Sequence, residues 1–164
     1  TQNELTIEAR LENTGFRPMP AALGFHPYFP SAGARLRAAA SAAWITDAAG
    51  LPVSLGLERM AADMRSGLKV EAQPLDHCFV GWDGIAVIDW PTHSMTMQTD
   101  PALTHLQVYS PTGAGHFCVE PQSAMPDAFN RDQASSGIRI LAPERDLVAR
   151  LRLKVSSADP GGMI

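Results

Sequence analysis

The segment 23–30, LGFHPYFP, places a histidine between two aromatic residues and directly before a proline. A residue that precedes proline is restricted to extended backbone conformations, so Pro27 is expected to hold His26 in β geometry. The imidazole group titrates near neutrality, and a histidine fixed in this way can therefore donate a proton to a bound substrate. Taken alone, a hydrogen-bonded histidine in the core is the more common interpretation.

A second candidate group lies in residues 118–130, CVEPQSAMPDAFN. Phe117 and Val119 predict a strand, Glu120 stands at its end, and Pro121 is expected to stop further pairing. A carboxylate at the end of a strand, followed by a proline-rich loop, is a common position for a functional residue. A solvated glutamate at the rim of a sheet is the alternative.

A third group lies in residues 74–84, PLDHCFVGWDG, where Asp76 is close in sequence to Phe79 and Trp82. Aromatic rings pack against the apolar face of a sugar, and carboxylates accept hydrogen bonds from its hydroxyl groups. This combination favours sugar binding. A turn capped by the aspartate fits the same residues equally well.

A metal site is a further possibility, because His77, Cys78, His116 and Cys118 offer two pairs of nitrogen and sulfur ligands that zinc accepts. On a strand, His116 and Cys118 would point to the same face, whereas the adjacent His77 and Cys78 would point to opposite faces. The chain also contains no His-x-His pair. We therefore predict no metal site.

The elements that must position these groups are predicted to be strands. Leu5, Ile7, Ala9 and Leu11 alternate with polar residues, which indicates a half-buried strand, and residues 147–155 repeat the pattern. Thirteen glycines and thirteen prolines leave room for one short helical segment, at 57–66. The pattern predicts an all-β sandwich or barrel. Its other extended runs are 35–45, 85–90, 95–99, 103–109, 117–120 and 137–141.

The composition narrows the class of protein. A chain of 164 residues fits a single domain, 1–164, with a frayed tail expected over 156–164. A formal net charge of -4 argues against a nucleic-acid partner, and no apolar run approaches the roughly 20 residues of a membrane span. Two cysteines without a CxxC motif predict free thiols and a reducing, cytoplasmic location.

Three segments, taken in order, resemble the aldose 1-epimerases, also called galactose mutarotases. They are NTGFRPMPAALGFHPYF at 13–29, LDHCFVGW at 75–82 and VEPQSAMPDAFN at 119–130. Residues 137–155 resemble the closing strands of that family. The HPYF and EPQS forms are similar to its bacterial epimerase-like branch, and the resemblance extends over nearly the whole chain.

This resemblance implies a galactose mutarotase-like β-supersandwich with an open sugar cleft. It implies an isomerase that interconverts the α and β anomers of a free aldose, a monosaccharide substrate, without metal or cofactor. His26 matches the histidine that protonates the ring oxygen, and Glu120 matches the glutamate that takes the proton from the anomeric hydroxyl. Asp76 matches an aspartate that binds sugar hydroxyls, with Tyr28 and Phe79 expected as aromatic contacts.

The family is longer, and its first part carries an arginine and a second histidine that have no counterpart here. The chain is therefore expected to be the C-terminal portion of such a fold, with uncovered sheet edges that favour a homodimer. Two other functions stay open. One is a sugar-binding domain without turnover; the other is a hexose-6-phosphate 1-epimerase that binds phosphate through Arg17, Arg35, Arg37 or Arg131.

Overall fold

The computed structural model describes residues 3–132 and 136–157. The regular secondary structure of these residues is almost entirely β-strand. Their bounds, in chain order, are β1 Glu4–Glu12, β2 Met19–Ala21, β3 Tyr28–Pro30, β4 Arg35–Ala38, β5 Ala42–Thr46, β6 Pro52–Gly56, β7 Leu68–Lys69, β8 Leu75–Val80, β9 Ile85–Asp89, β10 His93–Thr99, β11 His105–Ser110, β12 His116–Gln122, β13 Arg139–Leu141 and β14 Asp146–Ser157. A helix, α1, spans Glu58–Ser66, and a 3₁₀ turn spans Ala128–Asn130. The predicted all-β class is confirmed.

The strands form two stacked six-stranded sheets. Sheet 1 has the order β1-β14-β10-β9-β4-β7, and sheet 2 has the order β3-β12-β11-β8-β5-β6. A small third sheet pairs β13 with β2. Neighbouring strands within each sheet are antiparallel, so each can bury one face and expose the other to solvent.

The core fills the space between the two large sheets. Sheet 2 contributes Phe79, Leu106 and Phe117, and sheet 1 contributes Leu36 and Ile88, all with no exposed surface. Because side chains alternate along a strand, every second residue of these strands is apolar and faces inward. Burial of each large side chain stabilises the fold by roughly 1.5–3 kcal/mol relative to its exposure.

The helical segment predicted at 57–66 is confirmed, since α1 covers Glu58–Ser66. The helix ends at Gly67, whose φ of 106° allows its N–H to bond back to the carbonyl of Met64. The run predicted at 35–45 is two strands rather than one, because the chain crosses from sheet 1 to sheet 2 between β4 and β5. Within the described residues, no helix combines the length and apolar character that a membrane span requires.

Strand β14 continues further than the sequence pattern predicts. Ser156 and Ser157 belong to the expected tail, yet they pair with Ser94 and His93 of β10. Residues 158–164 of that tail lie outside the described part of the chain.

Strand β1 forms one edge of sheet 1, and the prediction that it is half-buried holds only for its second half, where Ala9 and Leu11 are partly buried. Leu5 is 55% exposed and Ile7 is 38% exposed. Both point to the inner face, since their cross-strand partners are Leu153 and Leu151, and Leu151 is buried. The alternating pattern therefore predicts the strand correctly, but a strand at the edge of the sandwich is left without a covering layer.

An uncovered apolar face beside unpaired backbone groups favours pairing with another chain. We expect the protein to dimerise along β1, with light scattering giving about twice the mass of one chain at high concentration. Ile7→Glu should shift the mass to that of the monomer, because it places a charge on the apolar face. Thr6→Glu, on the opposite face of the same strand, is the control and should leave the dimer intact. A monomeric wild-type chain at high concentration would contradict this prediction.

Candidate active site

The outer face of sheet 2 carries an unusual concentration of polar side chains. Glu120 of β12 lies across from Gln107 of β11, which in turn lies across from Cys78 of β8. Asp76 is two residues before Cys78 and therefore points to the same face. The inward-facing neighbours of these residues are core side chains, so strand alternation alone brings two carboxylates and an amide together on one surface.

His26 reaches this surface through the pairing of its own segment with β12. Tyr28 pairs with Cys118, and Gly24 forms a bridge with Gln122. Both pairs belong to one antiparallel register, which places His26 directly across from Glu120. The Nε2 atom of His26 is 3.3 Å from the Oε1 atom of Glu120. With 53% of its side chain exposed, His26 is not a core residue.

The segment before His26 is fastened to the end of β12. The N–H of Phe25 donates to the carbonyl of Pro121 at 3.0 Å, and the N–H of Ser123 donates to the carbonyl of Leu23 at 2.8 Å. A Cβ at Gly24 would come within 3.1 Å of the Gln122 side chain, so glycine permits this close approach. The expectation that Pro121 stops pairing is wrong: β12 continues to Gln122, because proline lacks only the donor and its carbonyl still accepts.

Glu120 is the most buried carboxylate of the site, with 7% of its side chain exposed. The Nε2 atom of Gln122 donates a hydrogen bond to the Oε2 atom of Glu120 at 3.2 Å. Burial raises the pKa of Glu120 above the usual range, and the negative charge of Asp76 adds to that effect, while His26 and the Gln122 hydrogen bond oppose it. The net result is a carboxylate that is a stronger base than an ordinary glutamate.

Gln107 is a site residue that sequence reasoning missed. It is 9% exposed and donates a hydrogen bond from Nε2 to the Oδ1 atom of Asp76 at 2.6 Å. Within the described residues, its Oε1 atom is buried and accepts no hydrogen bond. Such a free acceptor suits a hydroxyl group of a ligand. Its only signal in the sequence is a polar residue between two apolar ones, Leu106 and Val108, on a strand.

The two predicted aromatic contacts have different outcomes. Tyr28 is 63% exposed and its ring stacks on that of His26, with 4.9 Å between centroids, so it borders the site. Phe79 has no exposed surface and packs in the core, and its prediction as a substrate contact is wrong. It lies three residues after Asp76 on β8, and an odd separation on a strand puts two side chains on opposite faces.

The predicted free thiols are confirmed, since Cys78 and Cys118 are both unbridged. Burial is the main cause that raises the pKa of Cys78 to about 12 and that of Cys118 to about 11. The four residues considered as zinc ligands, His77, Cys78, His116 and Cys118, do not meet at one point. His77 and Cys78 alternate across β8, and the ring of His116 packs against Tyr28, with 5.3 Å between centroids.

An open cleft of about 470 Å³ lies beside His26 and Glu120. Its far wall is the loop after β12, which presents Phe129 at the rim with 70% of its surface exposed. Asp127 fixes this loop by accepting hydrogen bonds from Asn130 at 2.6 Å and from Arg131 at 3.1 Å. This volume fits a small-molecule ligand, which would lie beside His26 and Glu120.

Comparison with known proteins identifies the family of the chain. The profile of the aldose 1-epimerase family matches residues 1–154. The chain belongs to this family. One relative is the uncharacterized protein YphB of Escherichia coli K12, which is 28% identical over 167 residues, covering 94% of this chain and 57% of YphB.

Solved structures of the family share the fold. A candidate aldose 1-epimerase from Escherichia coli K12 superposes with a TM-score of 0.84 at 27% identity, over 95% of this chain and 57% of that one. A galactose 1-epimerase from Lactobacillus acidophilus gives a TM-score of 0.77 at 17% identity, over 96% and 55% of the two chains. The predicted mutarotase-like sandwich is therefore confirmed, and the chain spans little more than half the length of these relatives.

The buried carboxylate makes a prediction about stability. A group whose pKa is raised by folding destabilises the fold when it ionises, so the penalty develops as the pH rises from about 4.3, an ordinary glutamate pKa, and is complete above the raised value. Glu120→Gln should therefore increase the free energy of unfolding at pH 7, because the neutral amide carries no charge that burial penalises.

Chemical denaturation at pH 4 and pH 7 measures this effect. The gain should be larger at pH 7 than at pH 4. The control is Glu12→Gln, an exposed glutamate at the end of β1, which should change stability little at either pH. A loss of stability in Glu120→Gln at pH 7 would show that the ionised carboxylate is favoured by folding, contrary to the prediction.

Proposed function

We propose that this chain is a mutarotase-type isomerase that interconverts the α and β anomers of a free aldose. The observation that carries the proposal is the 3.3 Å contact between His26 and Glu120 at the edge of a monosaccharide-sized cleft. The ring oxygen and the anomeric hydroxyl of a sugar are both bonded to C1. Ring opening adds a proton to the ring oxygen and removes a proton from the anomeric hydroxyl. It therefore needs an acid and a base that lie side by side.

The proposed reaction begins with Glu120 taking the proton of the anomeric hydroxyl. The O1–C1 bond becomes a carbonyl as the C1–O5 bond breaks, and the electron pair goes to O5, which takes a proton from His26. Rotation about C1–C2 then presents the other face of the aldehyde. Ring closure returns one proton to His26 and the other from Glu120 to O1, so both groups regain their starting states. Each positioned transfer contributes roughly 10²–10⁴-fold.

The other polar groups of the face are proposed to hold the sugar. Asp76 has a second carboxylate oxygen, and Gln107 has its unsatisfied Oε1 atom, and both can accept hydrogen bonds from hydroxyl groups. Tyr28, stacked on His26, offers an apolar surface at the rim. No cofactor is invoked for this chemistry, and a cytoplasmic location stays a prediction.

The placement of the arginines favours a free aldose over a phosphorylated one. Arg35 and Arg37 lie on β4 in sheet 1, where Arg37 pairs with Asp89 at 2.8 Å, away from the sugar face of sheet 2. Arg131 does lie near the cleft, but its guanidinium group is held by Asp127 and by the carbonyl of Pro52. Binding of a phosphate there would require that pair to separate.

Anomer exchange can be measured directly by NMR saturation transfer between the α and β signals of glucose and galactose. The wild-type chain should exceed the rate in buffer, and Glu120→Gln should lower its contribution by roughly 10²–10⁴-fold, because the base is lost. Glu12→Gln is the matched control and should keep the wild-type rate. Exchange that persists in Glu120→Gln would disprove the role of Glu120. Sugar binding without exchange in the wild type would instead indicate a binding domain.

The raised pKa of Glu120 predicts the pH dependence of exchange. A base works when it is deprotonated, so the rate should fall as the pH drops through the pKa of Glu120, which lies above the ordinary value of about 4.3. Gln122→Leu removes a hydrogen bond that favours the ionised form and should move this acid limb to still higher pH. The measurement is kcat/KM against pH for both proteins. An acid limb that does not move in Gln122→Leu would contradict the assignment.

A further inference from the structure

His26, Cys118 and Glu120 each direct a potential metal ligand to one point of the sugar face. Their ligand atoms, an imidazole nitrogen, the thiol sulfur and a carboxylate oxygen, all lie within 4.8 Å of one another. We propose that these three residues form a binding site for a thiophilic divalent cation, with Zn²⁺ as the reference ion, and that its occupation inhibits the protein. This site differs from the pairs that the sequence offered, because of those four residues it uses only Cys118, together with His26 and Glu120.

Strand geometry explains why the three groups converge. Cys118 and Glu120 are two residues apart on β12, so their side chains leave the same face of the sheet. His26 approaches from the neighbouring segment, in the register that sets it across from Glu120. Cys118 and Glu120 are fixed by the pairing of β12, and His26 lies between two paired positions, Gly24 and Tyr28.

The spacing suits a tetrahedral ion. Zinc bonds to nitrogen and oxygen at about 2.0–2.1 Å, and a tetrahedron with such bonds has an edge of about 3.3–3.4 Å. The Nε2 atom of His26 and the Oε1 atom of Glu120 are already 3.3 Å apart. The Cys118 sulfur lies within 4.8 Å of both ligand partners, and rotation about its Cα–Cβ bond can shorten the remaining gap.

The chemistry of the three ligands selects the class of cation. A nitrogen, sulfur and oxygen set favours zinc and related transition metals, whereas magnesium and calcium prefer oxygen ligands alone. His26 and Glu120 line the cleft, so a fourth ligand, such as water, can approach the ion from that side. Zinc binds the thiolate form of cysteine, so binding at Cys118 displaces the thiol proton.

Inhibition follows from the overlap with the proposed reaction, and this part of the inference rests on the proposed function. An ion held by His26 and Glu120 engages both the acid and the base, so neither can exchange a proton with a sugar. The binding of the cation itself does not depend on what the protein catalyses.

Calorimetric titration with Zn²⁺, supported by absorption spectra with Co²⁺, tests the site after treatment with EDTA and buffer exchange. The wild-type chain should bind one ion and show a sulfur-to-cobalt charge-transfer band. Cys118→Ser should lose that band and lower the affinity by more than the roughly 10–100-fold that loss of a secondary contact costs. Cys78→Ser is the matched control, since Cys78 is also a buried cysteine on this face but lies on β8.

The outcomes separate this inference from the proposed function. Zinc binding that survives in Cys118→Ser, or that is lost in Cys78→Ser, would overturn the metal site whatever the rate of anomer exchange. Exchange by the EDTA-treated, buffer-exchanged chain that disappears with one equivalent of Zn²⁺, and that resists Zn²⁺ in Cys118→Ser, would establish the inhibition. A wild-type chain that binds Zn²⁺ through Cys118 but shows no exchange in EDTA would refute the proposed function and leave the metal site standing.

Discussion

The site depends on one constraint, the antiparallel register between β12 and the segment that leads into β3. Tyr28 against Cys118 and Gly24 against Gln122 are two points on a single register, and His26 is midway between them. A slip of one residue would turn the histidine to the other face of the strand. Core packing of Phe29 against Phe117 on one side and the hydrogen bonds of Leu23 with Ser123 on the other hold this register.

The same pairing has an electrostatic consequence. The segment that carries His26 covers one side of Glu120, and the neighbouring strands of sheet 2 cover the other. Because water is excluded from the carboxylate, the pKa of Glu120 is raised. A carboxylate in this position is costly for folding but useful for proton transfer near neutral pH. The amide groups of Gln122 and Gln107 each contact one carboxylate of the face, so the two negative charges are separately stabilised.

The outer faces of the two sheets differ in character. Sheet 1 presents an outer face of charged residues, where Glu8 pairs with Arg150 at 2.7 Å and Arg10 with Asp146 at 2.8 Å. These exposed pairs add little to stability, but they keep that surface hydrophilic. Sheet 2 instead uses its outer face for the site, and the shared core between the sheets gives that face a rigid support.

The sequence by itself determined the all-β class, a short helix near 57–66 and, through its motifs, the choice of His26, Glu120 and Asp76 as candidate site residues. Local patterns are enough to predict these features. The alternation of apolar and polar residues, and the turns at glycine and proline, depend only on residues that are close in sequence. Tertiary structure decided which face each strand buries. It moved Phe79 into the core, left Leu5 and Ile7 uncovered and brought Gln107 to the site. Those outcomes depend on partners far away in sequence, which alternation alone does not specify.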